Sequence, residues 1–443
     1  MIPSCVARAS RASIVAVPVL LAACIVVGPD YERPPMPVPA SYRYAAQAAT
    51  AEPASSGPWW QAFGDPVLDA LLAQVQVDNQ TLRAAEARVR QAQALADAAR
   101  AARSASVTVG GRNDFGIVAS WEPDLWGRIR RSIEASSASA QASEADLAAA
   151  RLLVQATLAQ TYFLLRAQDD QNRLFSEAVA AAERSVQITR NQYAVGVAAR
   201  ADVVQAEAQL GSTRAQLLDG RLTRNQLENS IALLLGKAPA DFRLDETTQE
   251  AAIPPVPASL PSELLRRRPD IAAAERRVAA ASAQIGVAEA AFYPAVNLSA
   301  GATVRDGLVG AARVEWPVYD AGLRRAKSAQ ALAAYDEAVA TYRQTVLAGF
   351  REVEDNLAAL HTLEQAAAAQ AAAVDAARAS VRITDNQYRA GITNYLSVAL
   401  VQTATLNTER VAVSLRARRQ IAAATLIKAL GGDWATASDA AGR

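Results

Sequence analysis

The sequence predicts a mainly α fold with a small β part: long α-helical hairpins duplicated in tandem, each carrying one β-hairpin. Three observations predict it. Two runs of 66 residues, Arg128 to Tyr193 and Leu323 to Tyr388, contain no Pro and between them one Gly, Gly349. At about 1.5 Å per residue each makes roughly 100 Å of helix, which suits a coiled coil or helical bundle better than an ordinary core. The second observation is a repeat: Ser185 to Gly196 matches Ser380 to Gly391 at an offset of 195, with eight of twelve positions identical. The third is a pair of short islands in which apolar and polar residues alternate, near 104-122 and 295-316.

Composition narrows the function classes. Lys+Arg is 45 and Asp+Glu 44, for a net charge of +1, so no global attraction to nucleic acid is expected. Apolar residues are 51% but aromatics 5%, which leaves small residues, visibly Ala, to supply the apolar count and suggests close helix approach. The mean hydropathy of +0.03 fits neither a disordered chain nor a polytopic helical membrane protein. One His (His361) and two Cys (Cys5, Cys24) exclude a disulfide framework, a Cys-ligated zinc site and a Cys–His nucleophile. No cofactor or catalytic residue is expected.

The N-terminus comes first. Arg8 and Arg11 precede the apolar stretch Ile14 to Leu20, a basic start and short apolar segment that fit a secretory signal over 1-23. It ends Leu21-Ala22-Ala23-Cys24, similar to a bacterial lipobox in which Cys24 is acylated; a plain signal with an incidental Cys is the competing reading. Segment 24-64 opens with Gly28-Pro29 and a run of prolines to Pro39. Prolines favour extended backbone, so it reads either as a strap docked along the fold or as a linker.

The repeats follow, over 65-250 and 251-443. Helix resumes from Asp65. In the first island Val107 and Val109, then Ile117, Ala119 and Trp121, alternate with Ser106, Thr108, Val118 and Ser120. In the second, Val296, Leu298, Ala300 and Ala302, then Leu308, Ala312 and Val314, alternate with Asn297, Ser299, Thr303, Val309, Ala311 and Arg313, around an Asp306-Gly307 turn. With Trp121, Trp316, Phe292 and Tyr293 at the ends, the islands match membrane strands of about nine to eleven residues. Four strands cannot close a membrane barrel, for which about eight is the minimum, so several copies would share it; a soluble sheet cap is the alternative. Gly196 and Gly391 stand where the long helices should stop, in positions that favour positive φ. Returning helices are expected over about 200–235 and 395–430. Arg266-Arg267-Arg268 reads as a solvated turn, and His361 as inert.

The residues also resemble a known family, the TolC-like outer-membrane factors, in their lipoprotein branch of multidrug efflux channels (OprM/NodT-like). The similarity runs from Leu21 to Trp434. It rests on Val27-Gly-Pro-Asp-Tyr31, Trp59-Trp60 with Phe63-Gly-Asp-Pro66, Trp121 to Arg131, Leu260 to Ile271, Ala291 to Pro294, Trp316 to Gly322, Phe350 to Asp355 and Leu430 to Trp434, in that order. The resemblance implies a homotrimer with a 12-stranded outer-membrane β-barrel continued by a periplasmic α-helical barrel. It implies an exit duct of a tripartite efflux system that passes small molecules such as drugs, with a periplasmic adaptor and an inner-membrane RND-type pump as partners. By the same resemblance the anchor is Cys24, the periplasmic tip that meets the adaptor holds Tyr193, Gly196, Tyr388, Gly391, Tyr395 and Leu396, and the gate candidates are Asp202 and Leu400. Leu400 stands where the family often has an acidic residue, so an acidic ring from the second repeat is not expected. The short islands suggest a trimmed outer mouth. A type I secretion outlet for polypeptides, or a poreless lipid-tethered periplasmic coiled coil, are the other readings. The alternating islands discriminate, since a rod needs no lipid-facing strands.

Overall fold

The computed structural model describes residues 26–44, 58–110, 116–247, 252–254, 265–303 and 307–432. The signal segment, Cys24, Asn113-Asp114, Asp306 and Trp434 lie outside the described residues. In chain order the elements are α1 (Pro66–Asp78), α2 (Gln80–Ala101), β1 (Ser106–Gly110), β2 (Gly116–Trp121), α3 (Arg128–Ala194), α4 (Arg200–Leu234), α5 (Pro269–Ala290), β3 (Ala295–Thr303), β4 (Gly307–Glu315), α6 (Leu323–Arg389) and α7 (Tyr395–Ala429). Short 3-10 turns occupy Trp59–Phe63 and Pro239–Asp241.

Local chemistry sets the helix ends. Asp65 opens α1, its carboxylate accepting the amides of Val67 at 2.9 Å and Leu68 at 3.2 Å, as an N-cap does. Asp124 does the same for α3 through Ile129 and Arg130. The 67-residue helices α3 and α6 both stop in a Schellman turn. Gly196 (φ 79°) donates to the Tyr193 carbonyl and Val197 to that of Gln192; Gly391 (φ 73°) and Ile392 repeat the pattern on Tyr388 and Gln387.

Two compact units cut across the repeats. The first gathers Met1–Pro37, Ala84–Ala149 and Pro269–Leu347. Within it the strands form one antiparallel sheet in the order β1-β2-β3-β4. β3 and β4 reach nine residues each, but β1 and β2 have five and six, below the expected spanning length, with their turn outside the described residues. The start of the Pro-rich segment is bonded to this unit. Val27 donates to the Trp126 carbonyl at 3.1 Å, and Arg131, buried, donates to the carbonyls of Val27 and Gly28 and to Asp30. Gly28 lies so close over Gly286 that a Cβ would sit 2.4 Å from the Gly286 Cα, a contact only Gly permits. Further along, Tyr31 donates to Glu275 at 3.0 Å, and Arg33 and Arg276 both pair with that carboxylate. Burial and then the Glu275 charge push the Tyr31 phenol well above its ordinary range.

The second unit gathers Val38–Arg83, Ala150–Arg268 and Ala348–Arg443. Its core sets Leu68, Leu72 and Val75 of α1 with Leu158, Tyr162, Phe163 and Leu165 of α3, all buried. Each such side chain contributes about 1.5–3 kcal/mol. Phe63 meets Phe163 at 5.0 Å between centroids, and the Tyr162 hydroxyl donates to Asp65 at 2.6 Å.

The repeat is visible in how the returning helices end. The α4 carbonyl of Leu234 accepts from the Asn79 amide at 2.6 Å; 195 residues on, the α7 carbonyl of Ala429 accepts from Arg268 at 3.1 Å. Arg268 is therefore not a solvated turn residue. It is buried, and it also pairs with Glu352 at 2.8 Å, because an orphan carbonyl at a buried helix end needs a donor.

Candidate functional site

The sheet is the first candidate region. Its register aligns the alternation across all four strands: Val107 faces Ala119, Ala119 faces Ala300, and Ala300 faces Gly310. Val109, Ile117, Ala302 and Leu308 form the next row, and Trp121, Leu298 and Ala312 another. Directly paired residues share a face, so one face is apolar throughout. The opposite face carries Ser106, Ser120 and Ser299 in one row and Asn297 beside Arg313 in another, interrupted by Val118 and Val309. Ser106 and Ser120 hydroxyls lie 2.7 Å apart on it.

The apolar face is uncovered. Val107, Val109, Ile117, Val314 and Leu308 are all exposed, Leu308 to 84%. β1 and β4 are edges of the sheet within the chain. An uncovered apolar face with open edges is unstable in water and marks a surface that lipid or another chain must cover. Indoles fix the base of the sheet. Trp121 donates to the Arg103 carbonyl, Trp316 to that of Phe292, and Trp126 to that of Pro294 while stacking on Tyr293. Among the described residues no helix is long and apolar enough to cross a membrane.

The helix-hairpin tip is the second. The six expected contact residues divide by burial. Tyr388 and Tyr395 are 7% and 1% exposed, edge to face at 5.9 Å, in a cluster with Val186, Ala206, Val398 and Ala399. They shape the tip from inside and cannot touch a partner directly. Tyr193 and Leu396 are about half exposed, beside the more exposed Val195, Val197 and Ile392. Gly196 and Gly391 have open space where a Cβ would point, so backbone conformation alone demands Gly there. The Tyr388 hydroxyl donates to Gln192 at 2.8 Å and lies 3.1 Å from the Thr189 hydroxyl.

The two gate candidates differ. The Asp202 carboxylate accepts the Ala199 amide at 3.2 Å and so caps α4. Leu400 is 62% exposed on α7, and there Asn394 is the cap, accepting from Ser397.

Sequence reasoning missed a buried ionic cluster. Asp169 accepts from Arg166 at 2.8 Å and Arg224 at 2.7 Å, while Arg224 and Arg166 also donate to the carbonyls of Leu244 and Asp245. These bonds pin the stretch after α4 to the helices. Arg419 and Glu364 occupy the equivalent places, 3.9 Å apart. The match of Arg224 to Arg419 at the repeat offset was the available signal, but no carboxylate partner could be assigned from it.

Comparison with known proteins now bears on this geometry. The family model described as outer membrane efflux protein matches residues 71–237 and 260–432. The chain belongs to the outer membrane efflux protein family. It is similar to the pyoverdine export outer membrane protein OpmQ of Pseudomonas aeruginosa, 31% identical over 94% of this chain and 96% of the relative. It is also similar to the probable efflux pump outer membrane protein TtgC of Pseudomonas putida, 30% identical over 94% of each. The probable outer membrane lipoprotein SilC of Salmonella typhimurium is 28% identical over 94% and 97%. Among solved structures the outer-membrane channel OprN superposes with a TM-score of 0.85 at 30% identity, over 92% of this chain and 99% of that one. The open state of the Neisseria gonorrhoeae MtrE outer membrane channel gives 0.79 at 26%, over 92% and 98%. This efflux protein is therefore an outer-membrane protein.

Proposed function

We propose that this chain is the outer-membrane exit duct of a tripartite efflux system and works as a homotrimer. The single observation that carries this is the sheet: one wholly apolar, uncovered face, and two open edges. Four strands fall short of the smallest closed barrel, of about eight. Three copies, pairing β4 of one with β1 of the next, close twelve strands with every edge satisfied, as a bilayer requires. The apolar face then meets lipid and the Ser, Asn and Arg face lines the lumen.

The helical hairpins extend into the periplasm, and their tips meet an adaptor that bridges to an RND-type pump, which supplies the energy. Tyr193 and Leu396 offer the exposed contact, Gly196 and Gly391 set the turn, and Tyr388 and Tyr395 hold its shape. Asp202 and Leu400 line the constriction. Acylation of Cys24 adds a second membrane attachment, a reading supported by the lipoprotein description of SilC. The names of OpmQ and TtgC support efflux of small molecules over a polypeptide secretion outlet.

The test is export in cells lacking their own outer-membrane factor, supplied with a matched adaptor and pump. Wild-type chain should restore efflux of a small organic toxicant, and should incorporate labelled palmitate that Cys24→Ser does not. Failure to export with a trimer present in the outer membrane would sink the duct reading.

A further inference from the structure

Inside the second unit, three of the polar side-chain contacts that join the first repeat to the second keep polar counterparts when the repeats are exchanged; the Gln209 to Thr403 bond at 3.3 Å does not, since Ala404 and Ala208 stand in their places. Tyr388 meets Thr189 and Gln192 at the tip. Farther along, Gln160 donates to Thr425 at 3.0 Å, and Arg416 lies 3.4 Å from Asp170. Each of these three has a counterpart obtained by exchanging the repeats at the offset of 195. Tyr193 is the counterpart of Tyr388, Thr384 of Thr189, and Gln387 of Gln192, with every residue identical. Asp355 and Ser230 replace Gln160 and Thr425, and Gln365 and Arg221 replace Asp170 and Arg416. In each exchanged pair one side can donate and the other accept.

The exchanged residues are nevertheless less covered. Thr189 is 0% exposed, whereas Thr384 is only half-buried; Tyr388 is buried, whereas Tyr193 is 48% exposed. Ser230, Asp355, Gln365 and Arg221 are all exposed. Identical residues differ in burial because one set faces the other repeat and its twin faces outward. In a ring of copies the outward side of the second repeat meets the outward side of the first repeat of the next copy, a head-to-tail interface that closes by rotation.

We propose that the Tyr193 hydroxyl of one copy docks on Thr384 and Gln387 of the next copy, reproducing between chains the node that Tyr388 makes with Thr189 and Gln192 within each chain. This rests on the ring assembly argued above and names the residues that close it at the tip. Nodes then alternate within and between chains around the tip. Breaking only the between-chain set lets whole hairpins separate while each chain keeps its own core.

Site-directed crosslinking tests it. A tyrosine side chain holds the two Cβ atoms too far apart for a disulfide, so the reagent is a bis-methanethiosulfonate about as long as that side chain. In outer-membrane vesicles, full-length Tyr193→Cys/Thr384→Cys should give reducible dimer and trimer bands, and Thr189→Cys/Tyr388→Cys only single-chain bands. Sedimentation of the detergent-extracted protein separates the outcomes. A trimeric mass without interchain bands overturns the node but leaves the ring. A monomeric wild-type mass overturns the ring and the node together. Should the double-cysteine chain fail to reach the membrane, Tyr193→Phe, Thr384→Val and their combination decide. The proposal expects the combined fall in trimer dissociation temperature to be smaller than the sum of the single falls, and a fully additive fall overturns it.

Discussion

Glu183 and Arg214 join α3 to α4 by an ion pair at 2.6 Å, and 195 residues later the same two positions hold Arg378 and Glu409, again 2.6 Å apart with the charges exchanged. The duplicated hairpin has kept the bridge and reversed its polarity. The first pair is about half exposed and in the second only Glu409 is more covered, at 17%; exposed bridges contribute about 0.2–1 kcal/mol. Glu183→Arg alone should lower the thermal midpoint slightly, and Glu183→Arg/Arg214→Glu should recover it, since the second repeat already uses that arrangement. Thermal melts of the three proteins check this. A double variant no more stable than the single would show the positions to be uncoupled.

The uncovered sheet gives a sharper contrast. Arg at Val107 or Leu298, on the apolar face, should cost about 2–4 kcal/mol near the bilayer midplane and reduce the amount of trimer in the outer membrane. Arg at Thr108 or Ser299, on the opposite face, should be tolerated. Equal losses at both faces, measured by membrane fractionation, would remove the barrel argument.

Two glycines with positive φ separate backbone strain from collision. Gly391 has open space around it, so Gly391→Ala should cost only the left-handed penalty of about 1–2 kcal/mol. At Gly236 (φ 69°) a Cβ would lie 2.2 Å from the Asp78 carbonyl oxygen, and backbone cannot step aside cheaply. Gly236→Ala should therefore destabilise the chain more than Gly391→Ala in a chemical melt. Gly391→Val, more strained than Ala, should leave a trimer in the outer membrane yet weaken adaptor binding, read by co-purification.

Acid should act through Glu352. Burial raises its carboxyl, but the hydrogen bonds from Lys428 at 2.5 Å and Arg268 at 2.8 Å outweigh burial and hold it below its ordinary 4.5. A depressed folded value stabilises above the unfolded value and is lost as pH falls through the folded one. Wild type should therefore lose more stability than Glu352→Gln as pH drops below about 4.5. Parallel losses in the two proteins would show that the pair contributes nothing.

Much of this was legible in the chain. Pro-free runs marked α3 and α6 to within a residue or two, because helix continuity depends on local backbone chemistry. Period two marked the strands and their faces, and the repeated glycines marked the turns. What the sequence could not show is which equivalent residues become buried. Tyr193 and Tyr388 sit in nearly identical local sequence, and only the packing of one repeat on the other distinguishes them. Arg268 looked like part of a charge run because its partners, Glu352 and the Ala429 carbonyl, are 84 and 161 residues away. The two-arginine grip on Asp169 was hidden for the same reason.

The most direct test of the whole account is conductance and reversal potential of purified trimer in planar bilayers under a salt gradient. Wild type should open discrete channels. Leu400→Asp should shift selectivity toward cations and Asp202→Asn away from them, the asparagine keeping an oxygen for the Ala199 amide so that charge alone changes. A protein that conducts under no condition, adaptor present included, would contradict the duct and leave a poreless rod in its place.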